Sequence, residues 1–181
     1  MPTMLVALFL LAPVGSAPAQ EPALPPTAKP EVVESLRAGA AAAKHPSDGG
    51  GRAWLDAEQS DPEAVAGMPG TWTIVYEAGP LGVAEGGGVY LQVSPFWGWS
   101  TPQVEAPELE GYTVVSSEVA GLRLEAETID QQLLAVHLRG CGLAPGERIR
   151  FVYHGRADRF AESASRFWLA VDGSGDRAAL A

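Results

Sequence analysis

In "DGSGDR" (172–177), Asp172, Ser174 and Asp176 stand at alternate positions with glycines between them. Side-chain oxygens at that spacing, in a loop that can turn sharply, are how a calcium-binding loop begins. The three are candidate metal ligands on that ground. Such a loop is closed by a glutamate further along, and none follows Asp176. A hydrophilic turn explains the same residues, and no cofactor is expected.

"SPFWGWSTPQ" (94–103) places Phe96, Trp97 and Trp99 close together between Pro95 and Pro102. Aromatic faces stack on sugars and peptides, so Trp97 and Trp99, with Tyr112, are candidate ligand-binding residues for a glycan. The same rings bury large areas and dominate cores. Strand alternation through Val89, Leu91 and Val93 continues to Pro95, Trp97 and Trp99 on the inner side and leaves Phe96 outside. At least two of the three rings are therefore expected in the core.

Acid–base and nucleophilic chemistry find little to work with. The histidines are His45, His137 and His154, and no G-x-S-x-G elbow is present. His137 alternates with Val136 and Leu138 and belongs to the polar face of a strand. His137 and Cys141 have no second ligand pair at zinc spacing. Glu105, Glu108 and Glu110 flank a Pro-broken loop and could form a glycosidase pair, but solvated loop charges account for them. "EGGGVY" (85–90) lacks the Lys-Ser/Thr of a phosphate loop and opens a strand, which makes it a tight turn. No catalytic residue is assigned, and the chain is read as a non-enzyme.

The elements that must position these residues are strands. "TWTIVYE" (71–77) sets Trp72, Ile74 and Tyr76 against Thr71, Thr73, Val75 and Glu77. Similar runs occupy 52–57, 88–94, 112–119, 122–129, 132–139, 147–154 and 165–172, with Gly- and Pro-rich turns between them. Short strands with one polar face each predict an all-β, mostly antiparallel sandwich, immunoglobulin-like or jelly-roll-like. "ADRFAESASR" (157–166) is the one helical or turn candidate inside the domain.

The rest of the chain fixes its setting. Met4 to Leu11 is an apolar run followed by Pro13, Gly15 and Ala17-Pro18-Ala19, which reads as a signal peptide over 1–19. Residues 20–50 read as a Pro/Ala/Gly-rich linker with a short N-terminal helix over 31–44. Residues 51–176 form the sandwich, and 177–181 a tail that reads as a truncation point. Export to the periplasm or the extracellular space is expected, with no membrane span after signal removal. A net charge of -10 argues against nucleic acid or anionic lipid as partner. A single cysteine excludes an internal disulfide, so packing must hold the domain.

Two strings, "GTWTIVYEAGPLGVAEGGGVYLQVSPFWGWSTPQ" (70–103) and "ADRFAESASRFWLAVDGSGD" (157–176), carry a resemblance. With Trp72, Gly86-Gly87-Gly88, Trp97, Trp99, Pro102-Gln103, Trp168 and Asp172-Gly173, the chain resembles the N-terminal β-sandwich region of certain bacterial proteins of unknown function. Their later part is a metal-dependent hydrolase-like domain of the polymerase-and-histidinol-phosphatase type. The resemblance covers roughly residues 52–176. It implies an accessory or interaction module with a following catalytic domain as partner, and a glycan-binding module is the alternative. That hydrolase needs a cluster of His and Asp that this chain lacks, so no catalytic residue carries over.

Overall fold

The computed structural model describes residues 50–94, 98–130, 132–161 and 164–176. The signal peptide, the 31–44 helix, Phe96, Trp97 and the 177–181 tail lie outside the described residues. Eight strands follow in chain order: β1 (Gly51–Leu55), β2 (Pro69–Ala78), β3 (Gly88–Val93), β4 (Tyr112–Ser116), β5 (Arg123–Asp130), β6 (Leu133–Arg139), β7 (Arg148–Arg156) and β8 (Phe167–Asp172). They form two four-stranded sheets, β1-β2-β7-β4 and β5-β6-β3-β8, with antiparallel pairing throughout.

Period-two patterning decides which face each strand buries. On β2, Trp72, Ile74, Tyr76 and Ala78 point inward; on β7, Ile149, Phe151 and Tyr153 join them. The second sheet contributes Val89, Leu91 and Val93 from β3, Leu134, Val136 and Leu138 from β6, and Val171 from β8. These residues make one continuous core between two inner faces, the arrangement two amphipathic sheets adopt to remove their apolar sides from water. No helix occurs among the described residues. The 157–166 candidate is corrected in part: residues 159 and 160 are bends, and the described flanks on either side carry no regular structure.

The edges of the sheets differ. On one side β4 and β5 are in contact, and the Thr128 hydroxyl donates to the Pro102 carbonyl at 2.9 Å. On the other side the edge strands β1 and β8 flank a cleft.

Candidate functional site

The cleft measures about 820 Å³ and runs between Ala53–Leu55 of β1 and Phe167–Leu169 of β8, lined also by residues of the segments 61–66, 157–161 and 164–166. Its volume lies in the range of small-ligand pockets. Trp72 and Trp99 form its floor and are both buried. Phe160, Trp168 and Leu55 form an exposed apolar rim, with 58%, 51% and 45% of their surface in water.

Trp99 is placed by three anchors. Ser100 lies on β7, where the Tyr153 hydroxyl donates to the Ser100 carbonyl at 2.6 Å and the Arg156 N–H donates to the Ser100 hydroxyl at 2.9 Å. From the other sheet, the Gln132 side chain donates to the Trp99 carbonyl at 3.3 Å. Gln132 itself takes a left-handed conformation, φ 64°, at the irregular end of the β5–β6 hairpin, and its own carbonyl accepts the Val93 N–H. The Trp99 ring then meets Trp72 at 4.9 Å and Phe167 at 5.3 Å, both edge-on. The residue is only 5% exposed, at the floor of the cleft. Trp99 is buried as expected, but not by continued alternation: β3 ends at Val93, Ser94 is buried beside it with φ 22°, and Trp99 belongs to no strand.

Two polar atoms in the cleft wall are buried and unpartnered: the Trp99 indole Nε1 and Asp158 Oδ2. The other Asp158 oxygen accepts the Phe160 N–H at 3.3 Å. The carboxylate lies against Gly98, since a Cβ at that glycine would stand 3.1 Å from Oδ1. A buried polar group normally finds a partner, and a carboxylate oxygen without a donor carries a desolvation cost. Asp158 was missed in the sequence because an acid between Ala157 and Arg159 looks like any turn residue. Phe160 and Trp168 were equally plain, since nothing local shows that two edge strands far apart in the chain meet across a cleft.

The outer face of the first sheet is charged. Glu77 accepts from Arg148 at 2.9 Å and from Arg52 at 2.8 Å. The Arg148 hydrogen bond, with that of Arg52, holds the Glu77 carboxyl below its usual range. Both guanidiniums also lie over the Trp54 ring, at 5.3 and 5.1 Å. Arg150 pairs with Asp56 and Arg156 with Glu110. Glu110 is thereby held below the usual carboxylate range by Arg156, so it works as an ion-pair partner in this structure. Three carboxylates on this face thus pair with the four arginines, Glu77 serving both Arg52 and Arg148.

The remaining sequence candidates fall elsewhere. Tyr112 is half-buried on this outer face, stacked on His154 at 13° between planes, and the Thr71 hydroxyl lies 3.0 Å from His154 Nδ1. Thr71, His154 and Tyr112 thus form a row across β2, β7 and β4, away from the cleft. His137 faces Glu127 at 3.6 Å on the outer face of the second sheet. Asp172 is buried at the end of β8, where its Oδ1 accepts the Gly175 N–H at 2.7 Å and closes the turn. The Asp176 N–H lies 3.4 Å from the Ser174 hydroxyl. Asp172, Ser174 and Asp176 are so brought together as a hydrogen-bonded turn. Among the described residues no three His, Cys, Asp or Glu side chains converge as a metal site. No helix of the described residues is long and apolar enough to cross a membrane.

Comparison with family models, with curated proteins and with solved structures gives no match.

Proposed function

We propose that this chain is a non-catalytic, exported β-sandwich module that works by binding, and that the cleft between β1 and β8 is its binding site. The observation that carries this reading is the cleft itself: a hollow of about 820 Å³ of mixed apolar and charged lining, with exposed aromatic rims and two unpartnered polar atoms in its wall. Exposed Phe and Trp beside a concave apolar surface mark a contact site more often than an accident of packing. The strand order supports a jelly-roll-like sandwich. From β2 to β5 and from β6 to β8 the chain changes sheet at every step, as in a double Greek key. The resemblance to the N-terminal region of hydrolase-like proteins supports an accessory role beside a catalytic domain, in the periplasm or outside the cell.

The test uses Nile red, a neutral apolar dye, on the full chain. Binding in the cleft gives a saturable fluorescence gain that the double variant Phe160→Ala/Trp168→Ala removes while its melting temperature stays near that of the wild type. No saturable gain, or a gain that the double variant leaves intact, overturns the reading.

A further inference from the structure

The chemistry of the cleft narrows what it can hold. Three carboxylates line it, Asp61, Glu63 and Asp158, against one guanidinium, Arg166. Counting Arg159, which lies over the Phe160 ring at 4.8 Å, leaves the acids still in excess. Asp61 is already occupied, since its Oδ2 accepts the Thr71 N–H at 2.6 Å. Asp158 differs: it is 3% exposed and one of its oxygens has no donor. Aromatic rings surround the approach, and ring faces attract cations.

We infer that the cleft receives a small amine, a compact ammonium on an apolar stem, with Asp158 as its carboxylate partner. This rests on the cleft being the binding site. Charge selects the ammonium: an N–H donor to a buried carboxylate forms a charge-assisted bond that a neutral group cannot match. Size selects it too. Asp158 Oδ2 is shut off from water in this structure, so a ligand reaches it only as the cleft wall shifts, and a compact head group keeps that shift small. An ammonium is a compact point charge, whereas a guanidinium is a broad plane and a trimethylammonium has no N–H to donate. The stem lies along Phe160 and Trp168, where it covers apolar surface now in water.

Titration of the full chain with three probes that share one phenyl stem tests this, read by tryptophan fluorescence and by the indole N–H signals in nitrogen–proton spectra. Phenethylamine is expected to shift the Trp99 indole signal and to bind about tenfold or more tighter than 2-phenylethanol, the difference between a charge-assisted and a neutral hydrogen bond. Its trimethylammonium derivative is expected to bind as weakly as the alcohol. Asp158→Asn should reduce the amine to the affinity of the alcohol. The wild-type series decides the matter even where that variant fails to fold. Equal binding of all three probes in the cleft would overturn the amine inference and leave the binding-site reading standing. Cleft signals unmoved by any of the three, together with no Nile red gain, would remove both.

Discussion

The indole of Trp99 meets that of Trp72 edge-on, with ring centroids 4.9 Å apart and planes at 67°. Trp72 comes from β2 and Trp99 from the segment that hydrogen-bonds to β7 of the same sheet. Phe167 of β8 adds a third ring, edge-on to both.

That geometry makes Trp99 a structural residue. Trp99→Ala should cost about 3–5 kcal/mol, the range for truncating a buried aromatic. Trp168→Ala, on the exposed rim, should stay within about 1 kcal/mol of the wild type. Denaturant melts of the two variants check this. A Trp99→Ala protein as stable as its parent would mean that the ring is dispensable to the core.

Alkaline pH should unfold the domain through two tyrosines. Tyr76 donates to the Gly50 carbonyl at 2.7 Å and Tyr153 to the Ser100 carbonyl. Burial pushes both phenols up to about 12 from an ordinary value of 10.0. The unfolded chain therefore loses these protons first. Their contribution is complete below about pH 10 and is lost as pH rises from 10 through 12. Unfolding free energies at pH 8, 9.5 and 11 should be flat between the first two and fall at the third. Tyr76→Phe and Tyr153→Phe should each shallow that fall; an unchanged slope in both variants would count against the assignment.

The strands were legible from their period-two patterning: Trp72, Ile74 and Tyr76 on β2 point inward as their spacing requires, although Thr73 and Val75 on the other face are buried too. Trp99 is buried for another reason, since the alternation of β3 stops at Val93: Ser94 is also buried and has φ 22°. Pairing was not legible. β2 lies beside β7 because of contacts between residues far apart in sequence, and period-two patterning carries no information on partners. The cleft depends on that pairing, because only the sheet order makes β1 and β8 edges. Asp158 could not be singled out, since it is buried against Gly98, sixty residues away in the chain.

Calcium should leave the fold unaffected, while Asp172 itself should matter. Its carboxylate is committed to the turn through the Gly175 N–H at 2.7 Å. Asp172→Ala removes a buried acceptor and leaves that donor unpaired, a loss of about 1–3 kcal/mol. Asp172→Asn keeps an acceptor oxygen and should lose less. Melting temperatures with EDTA and with millimolar calcium should coincide. A rise with calcium that Asp172→Asn abolishes would instead make the turn a cation site.

Two glycines with the same backbone conformation should respond differently to one added methyl group. Gly111 and Gly146 have φ of 87° and 83°. Alanine in the left-handed region costs about 1–2 kcal/mol by itself. At Gly146, in the β6–β7 connection, a Cβ meets nothing within 4 Å, so Gly146→Ala should cost about that and no more. At Gly111, just before β4, the Cβ would stand 1.9 Å from the Thr101 carbonyl oxygen. That oxygen belongs to backbone, and the next residues are held in place: the Gln103 N–H donates to the Gly111 carbonyl at 2.9 Å and the Thr113 N–H to the Gln103 carbonyl at 2.8 Å. The clash can be relieved only by moving the 101–103 segment away from β4, which breaks those bonds. Gly111→Ala should therefore destabilise clearly more than Gly146→Ala in side-by-side thermal melts, and equal losses would show that the 101–103 segment yields freely.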